Sequence, residues 1–440
     1  MKQDPLLRGA ALLTAAGLLG QALGFVYRIA LSRALGAEYM GLYQLVLQAY
    51  AVGMALVSVG PSFAASRLTA EFSARGDKAA QRVLLRQCAR LFLPPLLLFG
   101  AAVFCFSDPI SVYLLGDART QLPLLVLVPC IALTAYENIH KYHLYGAGSV
   151  RLPAASELAE LTLRMCAVLL LLAYFRPHGG EKAVALVVCG MVLSELFSAT
   201  FLPLVCRARL SGGRATCDRR ALRRRILRTA LPVGATALLG NLMGTANAVL
   251  IPMRLAAAGW SAESAMRTFG VVFGMALPLL MLPYAFVAAL CTVLMPRLAR
   301  CAATGDLPTA RALARRAFVL ATVILVPAVT LLTLAGPFLG TLLFREETIS
   351  AWLPSLAAGV VFSAWQGVFA SALGGMERHG RAAANALFCG GVQLAFTWVG
   401  TGIRGVGMGG FLAGFCVNGA LGALLNAAAL RRALRPAKRA

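Results

Sequence analysis

Stretches of about twenty apolar residues recur along this chain, each closed by a short basic loop, and that alternation leaves few folds open. A helix needs roughly 20 residues to cross about 30 Å of hydrocarbon. Lipid offers no hydrogen bonds, so each span must satisfy its own backbone and is read as a helix. Twelve spans are long enough: 6–31, 41–65, 84–106, 122–139, 156–175, 184–205, 226–252, 269–294, 317–343, 352–375, 383–403 and 408–430. Pro94, Pro95, Pro123 and Pro129 make the third and fourth the least regular. The chain therefore reads as an all-α polytopic membrane protein. Of its 440 residues, 59% are hydrophobic and 13% charged. A soluble domain is not that apolar.

The net charge of +24 suggests nucleic acid until its distribution is considered. The basic residues sit in loops between spans, as in multi-pass membrane proteins, and no nucleic-acid partner is expected. With the N-terminus inside, the inward loops and tails carry 31 Lys and Arg against 8 outside. That bias places both termini in the cytoplasm. Trp260, Trp352 and Trp398 then fall at outer ends, as interfacial anchors do, and Tyr39 and Tyr43 read the same way. Met1 to Gly24 imitates a signal peptide, but the apolar run continues through Leu31, so it reads as a retained first span. The 11 cysteines show no metal spacing and lie mostly in spans, where cysteine packs as a small apolar residue; no disulfide is inferred.

A basic stretch from Arg207 to Arg228, with nine arginines and one acid, divides the spans into six and six. It marks an N-terminal lobe at 1–206, a linker at 207–228 and a C-terminal lobe at 229–440. The linker reads as an orientation signal that also attracts anionic lipids, or else as a regulatory element. A repeat supports the two-lobe division. Arg67-Leu68 leads to Gly76-Asp77, Arg82 and Arg86; Arg297-Leu298 leads to Gly305-Asp306, Arg311 and Arg315. Parallel repeats of this kind imply two bundles related by an axis along the membrane normal, a plan used for alternating access. GxxxG spacings at Gly20/Gly24, Gly240/Gly244, Gly270/Gly274 and Gly405/Gly409 suit close helix packing.

Ionisable residues inside spans are costly, at least about 2.5–3.5 kcal/mol on insertion scales, and mark function by default. Arg28 stands near the outer end of the first span. It either snorkels to the interface or contacts an anion, for which a planar multi-donor cation is suited. Arg164 stands near mid-membrane in the fifth span, one turn from Glu160, with Glu195 at similar depth in the sixth. These form either a buried ion pair between neighbouring helices or part of a polar cavity. Gln44, Gln48, Asn241, Asn247, Gln366, Gln393 and Asn418 either hydrogen-bond between helices or line a headgroup cavity. His140, His143, His178 and His379 fall in expected loops, and no metal site is inferred.

The run from Gly17 to Gln44 carries a resemblance: Gly24-Phe25, Tyr27-Arg28, Ser32-Arg33, Gly36-Ala37-Glu38 and Gly41-Leu42-Tyr43-Gln44, followed by Ser66-Arg67-Leu68 and Glu71. It resembles the polysaccharide and lipid II flippase branch of the MOP exporter superfamily, most of all stage V sporulation protein B-like proteins. The resemblance implies a MATE-like, V-shaped pair of six-helix lobes with pseudo-twofold symmetry in a bacterial cytoplasmic membrane. It implies movement of undecaprenyl-pyrophosphate-linked sugars by alternating access. Arg28, Arg33, Arg67 and Arg164 are then the pyrophosphate and headgroup candidates. Glu38, Gln44, Gln48, Glu160, Glu195, Asn241 and Asn247 are the cavity or coupling candidates. Those flippases tend to carry a further basic residue where this chain has Gln21, and often sodium-binding groups in the second lobe. The spans of the second half hold no carboxylate here, which leaves membrane potential, Na+ and H+ open as drivers.

No cofactor is expected. Expected partners are the lipid-linked substrate, anionic lipids and cell-wall synthesis enzymes, with the chain a monomer. A multidrug or cation antiporter of the same superfamily is the alternative. A membrane glycosyltransferase lacks an outer loop large enough to build a catalytic site, so the chain is not read as an enzyme.

Overall fold

The structure, a computed structural model, describes residues 5–210 and 218–434, with side chains from residue 15 onward. The middle of the basic linker and the basic ends of both tails lie outside the described residues. Among the described residues, twelve helices are long and apolar enough to cross a membrane. They partition differently from the sequence reading in two places. The first two spans form one hydrogen-bonded run, Ala15–Ala74, bent at Gly36. The span expected at 269–294 is interrupted instead, into Ala262–Met281 and Tyr284–Thr304. Pro283 explains the break, because it has no N–H to donate.

We name the crossings α1 (5–35), α2 (37–74), α3 (Lys78–Leu114), α4 (Ala118–Gly146), α5 (Arg151–Phe175) and α6 (Gly180–Arg209) in the first half. The second half has α7 (Arg219–Ala257), α8 (262–304), α9 (Leu307–Leu334), α10 (Ile349–Gly375), α11 (His379–Gly400) and α12 (Gly409–Ala433). The prolines of the third and fourth spans are accommodated. Pro94 and Pro95 sit just after a kink at Phe92, and Pro129 is carried within α4.

The Gly-Asp repeat is a pair of helix junctions. Gly76 and Gly305 take φ of 69° and 71°, a left-handed conformation that ends the preceding helix without a Cβ clash. The next residue then caps the following helix: Asp77 accepts from the Ala80 amide at 2.8 Å, and Asp306 from the Thr309 amide at 3.1 Å. Hydrogen bonds from Thr309 hold the Asp306 carboxyl below its usual range. That cap therefore contributes stability above the ordinary aspartate pKa and loses it as pH falls through the depressed value.

The chain forms two compact units, one of residues 1–35 and 42–245, the other of 36–41 and 246–440. In the first, α4 packs against both α2 and α6, and α5 packs on α6. Gly146 lies directly against the Ser66 backbone, and Gly190 against Val168. In the second, α10 is central, packed by α8, α9 and α12. Gly414, Gly419 and Gly422 of α12 admit Phe396, Phe362 and Gln366. The expected GxxxG contacts are uneven: Gly270 touches the Ala37 carbonyl, whereas Gly240 and Gly244 have open space where a Cβ would be.

Gly146→Val should overpack the α2–α4 contact and cost about 1–3 kcal/mol, seen as a lower Tm in detergent. Gly240→Val should leave the Tm unchanged.

Candidate functional site

Helices α5 and α6 carry ionisable residues on faces that meet inside the first unit. Glu160 and Arg164 are four apart on α5 and share a face. Arg164 donates through Nη2 to Glu160 and to Glu195 Oε1 of α6, the latter at 2.7 Å. Its Nε donates to Ser194 at 3.2 Å, and Ser198 donates to Glu160 Oε2 at 3.1 Å. Through Nη2 and Nε the arginine thus joins two neighbouring helices.

The structure adds a third carboxylate that the sequence reading overlooked. Glu137 of α4 is buried, and carboxylate oxygens of Glu137, Glu160 and Glu195 lie within 4.8 Å of one another. Lys141, one turn along α4, stands 3.3 Å from Glu137 and 3.7 Å from Glu157. The two cations face three buried carboxylates and the more exposed Glu157. Glu195 Oε2 is buried with no hydrogen-bond partner among the described residues. Two unit charges at this separation repel by roughly 3–4 kcal/mol at an effective dielectric near 20. A proton or a small monovalent cation among the three carboxylates removes that repulsion.

Aromatic hydroxyls flank the cluster. Tyr43 is buried rather than interfacial, its hydroxyl 3.9 Å from Met191 Sδ, and both Tyr27 and Tyr43 interact electrostatically with Arg28 and Arg164. Tyr50 donates to Thr134 at 3.1 Å. Arg28 is half-buried beside these phenols. Together they form one polar core that runs from α1 and α2 to α4, α5 and α6.

Other sequence candidates stand apart from it. Arg33 is exposed at the end of α1. Arg67 is exposed and separated from Gln44 by 23 residues of one helix, roughly 35 Å. Glu38 is half-buried in the 36–41 segment, which groups with the second unit. Gln44 is buried with its Nε2 unpartnered, and the Gln48 carbonyl accepts from Thr245 at 3.4 Å. Asn241 donates to the Ala237 carbonyl of its own helix at 2.9 Å. Asn247 accepts from Thr397 at 2.9 Å, and Asn418 donates to Gln393 at 2.7 Å, so these amides join helices of the second unit. His140 and His143 are not in a loop but buried in α4, with His143 Nδ1 2.8 Å from the Thr69 hydroxyl and His140 Nδ1 2.8 Å from the Tyr136 carbonyl.

Solved structures of transporters are similar to this chain in fold. An inward-facing multidrug resistance MATE family transporter of the MOP superfamily aligns over 97% of this chain and 98% of its own, with a TM-score of 0.75 at 14% identity. A MOP superfamily transporter from Pyrococcus furiosus aligns over 97% and 95%, with a TM-score of 0.67 at 16% identity. At these identities the likeness establishes the fold alone, one shared with MATE transporters. The chain belongs to the polysaccharide biosynthesis protein family, whose profile matches residues 6–302. Stage V sporulation protein B of Bacillus subtilis (strain 168) is 28% identical over 303 residues, covering 67% of this chain. The chain spans 58% of that relative's length.

Removing one partner from a buried ion pair strands the other charge. Arg164→Ala should therefore cost about 3–5 kcal/mol and sharply lower the yield of folded protein, measured by size-exclusion profile and Tm. Arg164→Ala combined with Glu160→Gln and Glu195→Gln should recover part of that loss. An equal Tm for the single and triple variants would argue against the ion pair.

Proposed function

We propose that this exporter is a flippase, moving undecaprenyl-pyrophosphate-linked sugar precursors across the bacterial cytoplasmic membrane by alternating access, with both termini cytoplasmic. The observation that carries this reading is the membership of the polysaccharide biosynthesis family together with Arg28, set among phenols inside the first unit. A guanidinium flanked by hydroxyl donors suits a pyrophosphate, which offers several acceptor oxygens at once. Flipping leaves the lipid tail in the bilayer, so the protein must accept only a polar, anionic headgroup. Arg33 and Arg67, exposed at the two ends of the crossing, serve as entry and exit contacts in this reading. Arg164 orders the cluster and does not take the substrate. The protein acts as a monomer without enzymatic activity.

The carboxylate cluster is the coupling element in this proposal. Glu195 and Glu137 exchange a proton or a sodium ion as the first unit changes conformation, with Lys141 and Arg164 holding the remaining charge in balance. The same cluster favours a second reading, a multidrug or cation antiporter, because carboxylates suit cationic cargo.

Complementation in cells depleted of their own lipid II flippase separates the two. Rescue by the wild type, and loss with Arg28→Ala at equal membrane levels, is expected for the flippase. Protection against cationic dyes without rescue would favour the antiporter. In vesicles holding a lipid-linked substrate, either a proton or a sodium gradient should speed transfer by the wild type. Glu195→Gln should respond to neither. A variant that keeps the wild-type response would remove the cluster from coupling.

A further inference from the structure

Each half carries an apolar pocket rimmed by three arginines, and the two are assembled from matching positions. The first, about 920 Å³, is rimmed by Arg82 and Arg86 of α3 and Arg207 of α6, over walls that include Tyr136, His140 and Leu204. The second, about 830 Å³, is rimmed by Arg311 and Arg315 of α9 and Arg431 of α12, over Phe318, Phe362, Trp365 and Phe369. Arg82 and Arg311 each stand five residues past the capping aspartate, and Arg86 and Arg315 nine past it. Arg207 and Arg431 each stand three residues before the leucine that closes the sixth helix of the half.

One arginine in each pocket has the same structural task. Arg82 donates to the Leu210 carbonyl, and Arg311 donates to the Leu434 carbonyl at 3.0 Å. Each thereby satisfies an end-of-helix carbonyl that has no partner within its helix. The helix end also attracts Arg207 and Arg431, which lie in its last turn. It does not account for Arg86 and Arg315, which come from a different helix. Among the described residues no carboxylate lines either pocket, and Arg86, Arg207, Arg315 and Arg431 make no ion pair.

The walls are as informative as the rim. Phe318 stacks 5.1 Å from Phe369 and lies 5.5 Å from Trp365, whose indole N–H is already satisfied by Thr322 at 3.0 Å. In the first pocket Tyr136 and His140 meet edge to face at 4.7 Å. A free phosphate fills a small part of such a volume and gains nothing from an aromatic wall. A ligand with a charged phosphate head and an apolar body matches both. Arginines at the ends of membrane helices also sit at headgroup depth.

We propose that each half holds one anionic phospholipid, with its phosphate between the two unpaired arginines and an acyl chain along the apolar wall. The lipid would brace the junction of the third and sixth helices of its half. Only the assignment of both lipids to the cytoplasmic leaflet rests on the orientation given under Proposed function. Binding itself does not depend on the transported substrate.

Native mass spectrometry of the full-length protein in detergent, titrated with phosphatidylglycerol or phosphatidylcholine, tests this. The wild type should retain two phosphatidylglycerol molecules at concentrations at least tenfold below those needed for phosphatidylcholine. Arg86→Gln with Arg207→Gln should lose one of them, Arg315→Gln with Arg431→Gln the other, and the fourfold variant both. Arg300→Gln, an exposed arginine outside both pockets, should keep two. Equal retention of the two lipids, or two bound lipids in a fourfold variant, would overturn the proposal. So would displacement by millimolar inorganic phosphate, which would mark the site as one for a free anion. Should the fourfold variant misfold, the two double variants still decide the matter through the loss of one lipid each.

Discussion

The first half of this molecule depends on one guanidinium held between two carboxylates in an apolar bundle. Arg164 ties α5 to α6 through Glu160 and Glu195, and the serines at 194 and 198 complete its surroundings. Charges are removed from water only at a cost of several kcal/mol each, and the pairing offsets this only when geometry is good and the spare lone pairs are satisfied. The arrangement meets that condition for Arg164 and Glu160. It fails to meet it for Glu195, whose second oxygen is buried and unpartnered. Glu137 aggravates the shortfall, since it brings a third carboxylate within 4.8 Å. A bundle selected for stability alone has no use for that surplus of negative charge. In the proposed coupling role, that surplus is the charge a proton or small cation would balance.

Hydropathy was enough to place the helices, because lipid permits little else. It was poor at their ends. Helices α3 and α6 run into the basic loops, from Lys78 and out to Arg209, well past the apolar residues that announced them. The same overrun moved His140 and His143 from an expected loop into a buried turn of α4. Glu137 went unnoticed for a related reason, sitting at the edge of an apolar run. The signal was present all the same: Glu137 and Lys141 are four apart, the spacing of a helical ion pair. Tyr43 lies close after the loop, as an interfacial anchor would, yet it is buried against Met191. Depth along a helix is legible in sequence. Which way a helix faces is decided by packing with distant segments, and that is not.

The repeat was legible for a different reason. Gly76-Asp77 and Gly305-Asp306 each perform two steps that few other dipeptides can, a left-handed stop and a helix cap. The arginines that follow keep their spacing because one of them caps the last helix of the half. Sequence showed the spacing without its cause, since the carbonyl acceptors at Leu210 and Leu434 are more than a hundred residues away.

The two halves share this frame and differ in what they put inside it. The first fills its interior with charges: Arg164, Lys141 and three carboxylates. The second uses neutral amides instead, with Asn247 accepting from Thr397, Asn418 donating to Gln393 and Asn385 donating to Asn426. An amide pair holds helices together without changing charge, whereas a carboxylate cluster alters its charge whenever a proton or cation enters or leaves. Among the described residues, the cluster of three buried carboxylates lies in the first half alone, whereas the buried Glu346 of the second half is already paired with Arg267 at 3.0 Å. We propose that this asymmetric chemistry on a shared frame confines ion coupling to the first half, where the buried carboxylates cluster.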